Sequence, residues 1–166
     1  MPALEAGASA PEIDLPLLAG GKFSLAEARK AGPVVVAFYK VSCPVCQLAF
    51  PYLERIYKAY SKSPNFTFAG VSQDNPQDTK EFNRRFHVSF PTLLDKAGAY
   101  TASNAYGLTN VPTVFVISPK GEIELSSVGW SKPDMEILNH KLAEVSGVAP
   151  SQIFQPGESV PDHRPG

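Results

Sequence analysis

Cys43-Pro44-Val45-Cys46 holds the only two cysteines of the chain. Two sulfurs at this spacing on a helix lie about one turn apart, near enough to bridge. If the pair stands at a helix start, the unpaired N–H groups and the helix dipole favour a thiolate at the first sulfur. A bridge this tight closes almost no loop and stabilises the fold little by chain entropy, so exchange chemistry is the better reading. The pair is a candidate redox site. Two reduced structural cysteines are the competing reading. A zinc site would need about four ligands, and His87, His140 and His163 are scattered singly. No metal or other cofactor is expected.

Such a site needs a strand behind it and a helix beneath it. Val34-Val35-Val36-Ala37-Phe38 is apolar on both faces, as expected of a central strand covered on each side. Across 47–60, Leu48, Tyr52, Leu53, Ile56 and Tyr60 recur at helical spacing, with Pro51 expected to kink that helix. Residues 66–72 read as a second strand. Asn75-Pro76 reads as the capped start of a helix to about Phe86. An extended piece over 90–95 and a short helix over 100–106 come next. Residues 114–117 are a third strong strand, 118–121 a turn, and 122–128 an alternating edge strand. A last helix covers 135–145, with Ile137, Leu138 and Leu142 expected to face inward.

Before the first strand, Met1 to Pro16 reads as an extended arm, and Ser24 as the cap of a short helix over 25–30. The order strand–helix–strand–helix–strand–strand–helix predicts an α/β domain over 1–146. Its first three units should make parallel crossovers, and the final hairpin should make the sheet mixed. From Gly147 on, prolines and polar residues dominate, predicting a Pro-rich C-terminal tail over 147–166 that is weakly packed or disordered at its end.

A length of 166 residues favours one domain with a real core. Net charge −1 predicts no basic face, so neither nucleic acid nor an anionic membrane surface is an expected partner. Residues 1–18 show no basic start followed by a long apolar core. No membrane span is expected, and the placement reads as cytoplasmic, or periplasmic if a leader has been removed. A monomer is expected.

Taken with the strand before it and the segments downstream, the motif gives the chain a resemblance to a known family. Cys43-Pro44-Val45-Cys46 after a buried strand is similar to the redox motif of the thioredoxin fold. So is Val111-Pro112-Thr113 ahead of a strand, followed by Pro119-Lys120-Gly121-Glu122-Ile123. Gly70-Val71-Ser72 with Asp74, Phe90-Pro91-Thr92-Leu93-Leu94-Asp95 and Tyr106-Gly107-Leu108 resemble the βα insert of the TlpA/ResA branch, which shares the redoxin (AhpC/TSA) signature. Gly7-Ala8-Ser9-Ala10-Pro11-Glu12-Ile13 resembles that family's first strand. The resemblance implies a thioredoxin-like fold, a central mixed sheet flanked by helices, and a thiol–disulfide oxidoreductase acting on protein or small-molecule thiols and disulfides. It implies that Cys43 attacks a substrate disulfide and Cys46 resolves the mixed disulfide. It also implies that Pro112 is a cis-proline facing the pair, with the backbone of Val111 turned out to meet an extended substrate.

Pro44 would pre-set the helix start while offering the sulfur no N–H. Two departures from the thioredoxin pattern stand out. Ala37 occupies the place of the buried acid that usually takes the proton of the second cysteine, which leaves water or another carboxylate, Asp74 being the nearest candidate. Ser42 replaces the tryptophan before the first cysteine, so Tyr39 or Trp130 is expected to cover the site, and Val111, Pro44 and Trp130 are expected to bind substrate. Lys40 reads as a solvated strand-end lysine that could also stabilise a thiolate. Two other functions compete. One is a peroxiredoxin-like antioxidant peroxidase with Cys46 as the peroxidatic thiol, though no arginine falls between Arg85 and Arg164 to polarise a peroxide. The other is a non-catalytic binding domain that keeps the motif for stability.

Overall fold

The computed structural model describes residues 2–166. A short hairpin of β1 (Asp14–Pro16) and β2 (Lys22–Ser24) leads into α1 (Leu25–Ala28), β3 (Val34–Tyr39), α2 (Pro44–Tyr60) and β4 (Thr67–Ser72). Then come α3 (Pro76–Arg85), β5 (Thr92–Leu94), α4 (Thr101–Ala105), β6 (Thr113–Ile117) and β7 (Ile123–Val128). The chain closes with β8 (Trp130–Ser131), α5 (Lys132–Ser146) and β9 (His163–Arg164). Helix starts follow local chemistry. Cys43, Asn75 and Ser131 each cap the following helix with a side-chain acceptor, and each is followed by proline in the first turn.

The main sheet has the order β5-β4-β3-β6-β7. All six residues of β3 are buried, because successive side chains feed opposite cores. Val35, Ala37 and Tyr39 pack with Leu53 and Ile56 of α2, Phe82 of α3, and Leu138 and Leu142 of α5. Val34, Val36 and Phe38 pack on the other face with Ile13, Leu25, Ala102 and Tyr106. Ile137, expected inward, is exposed. Helix α2 runs unbroken through Pro51. The N-terminal arm lies along the outer edge of β7, where Gly7 N–H donates to the Ile123 carbonyl and Ile123 N–H to the Ala8 carbonyl. That pairing covers an otherwise open sheet edge.

Two further expectations are corrected. β4 runs parallel to β3 and the short β5 parallel to β4, but β6 pairs with β3 antiparallel. The strand over 113–117 therefore does not continue the parallel crossovers. The chain leaves β5 and re-joins the sheet at the same end, with only the one-turn α4 between, a rise of roughly 7.5 Å.

The second correction is the tail over 147–166, which is packed along the domain. Gly147 ends α5 in the left-handed region at φ 70°. The Tyr60 hydroxyl donates to Asn139 Oδ1 at 2.5 Å and accepts from Ser151 N–H at 2.9 Å. Asn139 Nδ2 donates to the Ser151 carbonyl. Ile153 is buried, Arg55 grips both carboxylate oxygens of Glu158 at 2.8 Å, and Trp130 Nε1 donates to the Pro161 carbonyl at 2.7 Å. β9 then pairs antiparallel with β8. Composition misleads here because a few apolar anchors and side-chain donors to backbone carbonyls suffice to hold an extended segment against a finished core. The prolines lower the entropy it loses in docking.

Tyr60 joins α2, α5 and this segment in one buried network, so Tyr60→Phe leaves Ser151 N–H and Asn139 Oδ1 without their partner. The variant should lose about 1–2 kcal/mol of stability in urea denaturation and lose amide-exchange protection over 148–153. Unchanged midpoint and protection would show that the hydroxyl does not anchor the segment.

Candidate active site

β3 ends at Tyr39, and Lys40-Val41-Ser42 carries the chain to Cys43. This loop is held from both sides. The Asp74 carboxylate accepts from Val41 N–H at 2.8 Å, and Gln47 Nε2 donates to the Val41 carbonyl at 3.0 Å. Gln73 N–H donates to the Tyr39 carbonyl. Cys43 is thereby fixed in extended backbone as the residue before α2, and its sulfur accepts from Cys46 N–H at 3.3 Å. Pro44 comes next, exposed, and supplies no donor.

The two cysteines are free and differ in surroundings: Cys43 is half-buried and Cys46 has no exposed surface. Burial first of all pushes the Cys46 thiol well above its ordinary pKa of 9.0. A hydrogen bond with the Lys40 backbone works the other way, and the neighbouring Cys43 and Asp74 push it further up. Cys46 is thus a thiol that must give up its proton to react.

Across from the pair lies the loop leading into β6. The Val111–Pro112 peptide bond is cis. The Cys43 thiol donates to the Val111 carbonyl at 3.4 Å. The loop is braced by the Thr113 hydroxyl, which donates to the Asn110 carbonyl, and by Gly129 N–H, which donates to the Pro112 carbonyl, both at 2.7 Å. The antiparallel pairing of Phe38 with Thr113 sets these residues beside the end of β3.

Ala37 is fully buried between Gly70 and Val114, so no carboxylate stands at that point in the core. Asp74 reaches the site from β4 instead. It is half-buried, and it borders a largely apolar cleft of about 630 Å³ with Leu15, Pro16, Leu94 and Ala97. Tyr39 is buried and donates to Asn83 Oδ1 at 2.8 Å, away from the open surface. Lys40 is exposed and His87 ends α3 in the left-handed region at φ 58°. Among the described residues, no three His, Cys, Asp or Glu side chains come together as metal ligands would. No helix among them is long and apolar enough to cross a membrane.

Trp130 does not cover the site. It is 1% exposed, packed against Tyr52 and Phe154, with its indole N–H spent on Pro161. The expectation failed because a lone tryptophan near a thioredoxin-like motif also serves as a large core side chain, and here residues 154–161 lie over it. Sequence reasoning also missed Gly129 and Asn110, which contact the residues after β9. Their signal was weak, a glycine after an edge strand and an asparagine before Val-Pro.

A model of the AhpC/TSA family matches residues 6–126. The chain is 31% identical over 140 residues to the thioredoxin-like protein YneN of Bacillus subtilis, covering 80% of this chain and 78% of that one. It is 29% identical over 136 residues to the thiol-disulfide oxidoreductase ResA of Geobacillus kaustophilus, covering 81% and 76%. The crystal structure of the thioredoxin domain of a thiol-disulfide oxidoreductase from Bacteroides vulgatus superimposes with a TM-score of 0.71 at 26% identity, covering 84% of this chain and 98% of that domain.

The contrast between the two thiols is directly measurable. With the reduced protein at pH 8, iodoacetamide should label Cys43 at least about tenfold faster than Cys46, since only a reachable thiolate reacts. In urea the two rates should converge. Peptide mass spectrometry reads both, and equal labelling of the folded protein would contradict the burial and raised pKa of Cys46.

Proposed function

This chain belongs to the AhpC/TSA family, and we propose that it is a thiol–disulfide oxidoreductase whose reaction runs through Cys43 and Cys46. The observation that carries the reading is the setting of Cys43. It caps α2, takes Cys46 N–H on its sulfur and faces the Val111 carbonyl at 3.4 Å.

In the reductive direction, the Cys43 thiolate attacks one sulfur of a substrate disulfide. That S–S bond breaks, and the departing sulfur leaves as a thiolate that takes a proton from water. Cys46 then gives up its proton and attacks the Cys43 sulfur. The intermolecular bond breaks, the second substrate thiolate leaves, and Cys43–Cys46 is the oxidised product. Two electrons pass from the pair to the substrate, and a dithiol donor must restore them. An extended substrate is positioned by the outward backbone at Val111, as the family resemblance implies, with Pro112 behind it.

The costly step is deprotonation of Cys46 in an apolar setting. Asp74 is the carboxylate placed to accept that proton, replacing the acid missing at Ala37. It lies close enough to Cys46 to raise its pKa, and the cleft it borders connects it with water. A peroxidase using Cys46 fits less well, because a peroxidatic thiol must be both ionised and reached by peroxide, while Cys46 is fully buried with its thiol held protonated.

Reduction of insulin disulfides with dithiothreitol as donor tests the assignment. Cys43→Ser should abolish catalysis, and Cys46→Ser should accumulate a protein–substrate mixed disulfide visible on non-reducing gels; undiminished turnover in Cys43→Ser removes the proposal. Asp74→Asn keeps an oxygen acceptor for Val41 N–H but loses the base. It should slow resolution of the mixed disulfide by about tenfold or more, with an altered pH profile and an unchanged attack step. Equal resolution rates and profiles would exclude Asp74 as the acceptor.

A further inference from the structure

After α5 the chain returns over α2, and residues 163–166 reach the loop that faces Cys43. Arg55 and Trp130 hold it at Glu158 and Pro161, and Lys132 N–H donates to the Asp162 carbonyl at 2.9 Å. β9 then adds beside β8, with Arg164 opposite Trp130 and His163 opposite Ser131. Beyond it Asn110 Nδ2 donates to the Gly166 carbonyl at 3.0 Å. Two glycines permit this seat. A Cβ on Gly129 would come within 2.5 Å of the Arg164 carbonyl oxygen and 3.0 Å of Gly166 N. A Cβ on Gly166 would collide with the Val111 carbonyl oxygen. That oxygen is the one that faces the Cys43 sulfur.

We propose that residues 163–166 occupy the backbone edge beside Cys43 that an extended polypeptide substrate would take, and so select substrates by shape. The inference rests on the oxidoreductase reading above. An extended chain binds such an edge by adding a strand, and here β9 is added to β8 while Gly166 takes the space against the Val111 carbonyl. A small disulfide can reach the half-buried Cys43 sulfur past this strap, whereas a polypeptide must first displace it. Displacement is feasible because β8 and β9 are two residues each, and His163 and Arg164 are exposed. The upstream anchors at Glu158 and Pro161 remain in place when only residues 163–166 lift. A strap off its seat a tenth of the time would lower apparent affinity for a polypeptide by about tenfold and leave small disulfides untouched.

Two variants of the full protein test this. Removing 163–166 keeps the anchors at Glu158, Pro161 and Asp162, and Gly166→Val keeps the segment but forces its end off Val111. Each pre-reduced protein is mixed with insulin or with bis(2-hydroxyethyl) disulfide, and oxidation of its cysteines is followed by acid quench and mass spectrometry. Either variant should raise the insulin rate by about tenfold while the small-disulfide rate stays within about twofold. If neither changes the ratio of the two rates, including by raising or lowering both together, the inference is overturned and the oxidoreductase reading stands. No reaction with either disulfide in any form, the unaltered protein included, removes the oxidoreductase reading and this inference with it.

Discussion

The antiparallel pairing of β6 with β3 is the constraint on which the site depends. Cys43 lies just past the end of β3, and only a strand that starts where β3 ends can bring the residue before Pro112 against it. The pairing of Phe38 with Thr113 achieves this, placing the Val111 carbonyl 3.4 Å from the Cys43 sulfur. A parallel β6 would put its start at the far end of the sheet, about five residues or roughly 16 Å away. β3 can occupy the middle because its six side chains are apolar or buried aromatic and satisfy both cores.

A rigid frame would still leave the motif loose were it not for the polar contacts around Lys40-Val41-Ser42. Asp74 takes the amide of Val41, Gln47 takes its carbonyl, and Gln73 reaches back to Tyr39. The parallel register of β4 with β3 delivers Asp74 to that loop, so one carboxylate both fixes the motif's approach and stands near Cys46. The same geometry makes the cysteines unequal. Cys43 sits at a helix start in partial contact with solvent, while Cys46 is one turn into an apolar core that opposes a charged sulfur.

Residues 147–166 extend the same economy of contacts. They add to the hydrophobic core only buried Ile153 and the partly buried Phe154 and Val160, yet they cover Trp130 and meet the loop before β6. Their prolines and glycines read as disorder when taken alone, yet the prolines restrict the extended segment and Gly166 lets it pass close to the Val111 backbone. Where this segment meets the loop before β6, Gly129 and Gly166 are the glycines at which a side chain would collide with backbone.

Much was legible in the residues themselves. The two cysteines at helical spacing, the apolar run behind them, the Asn-Pro helix start and the alternating edge strand each encode local structure through short-range chemistry, and local structure is what a sequence states directly. These alone give the motif, its helix, the central strand and the mixed α/β class. The direction of β6 was not legible, because an apolar strand reads the same in either orientation. The burial of Trp130 and the docking of 147–166 were not legible either. Each depends on partners more than 30 residues away, such as Pro161 for Trp130 and Glu158 for Arg55. Sequence determined which thiols could react. Tertiary structure alone decided what faces them, because long-range pairing leaves no periodicity in either partner.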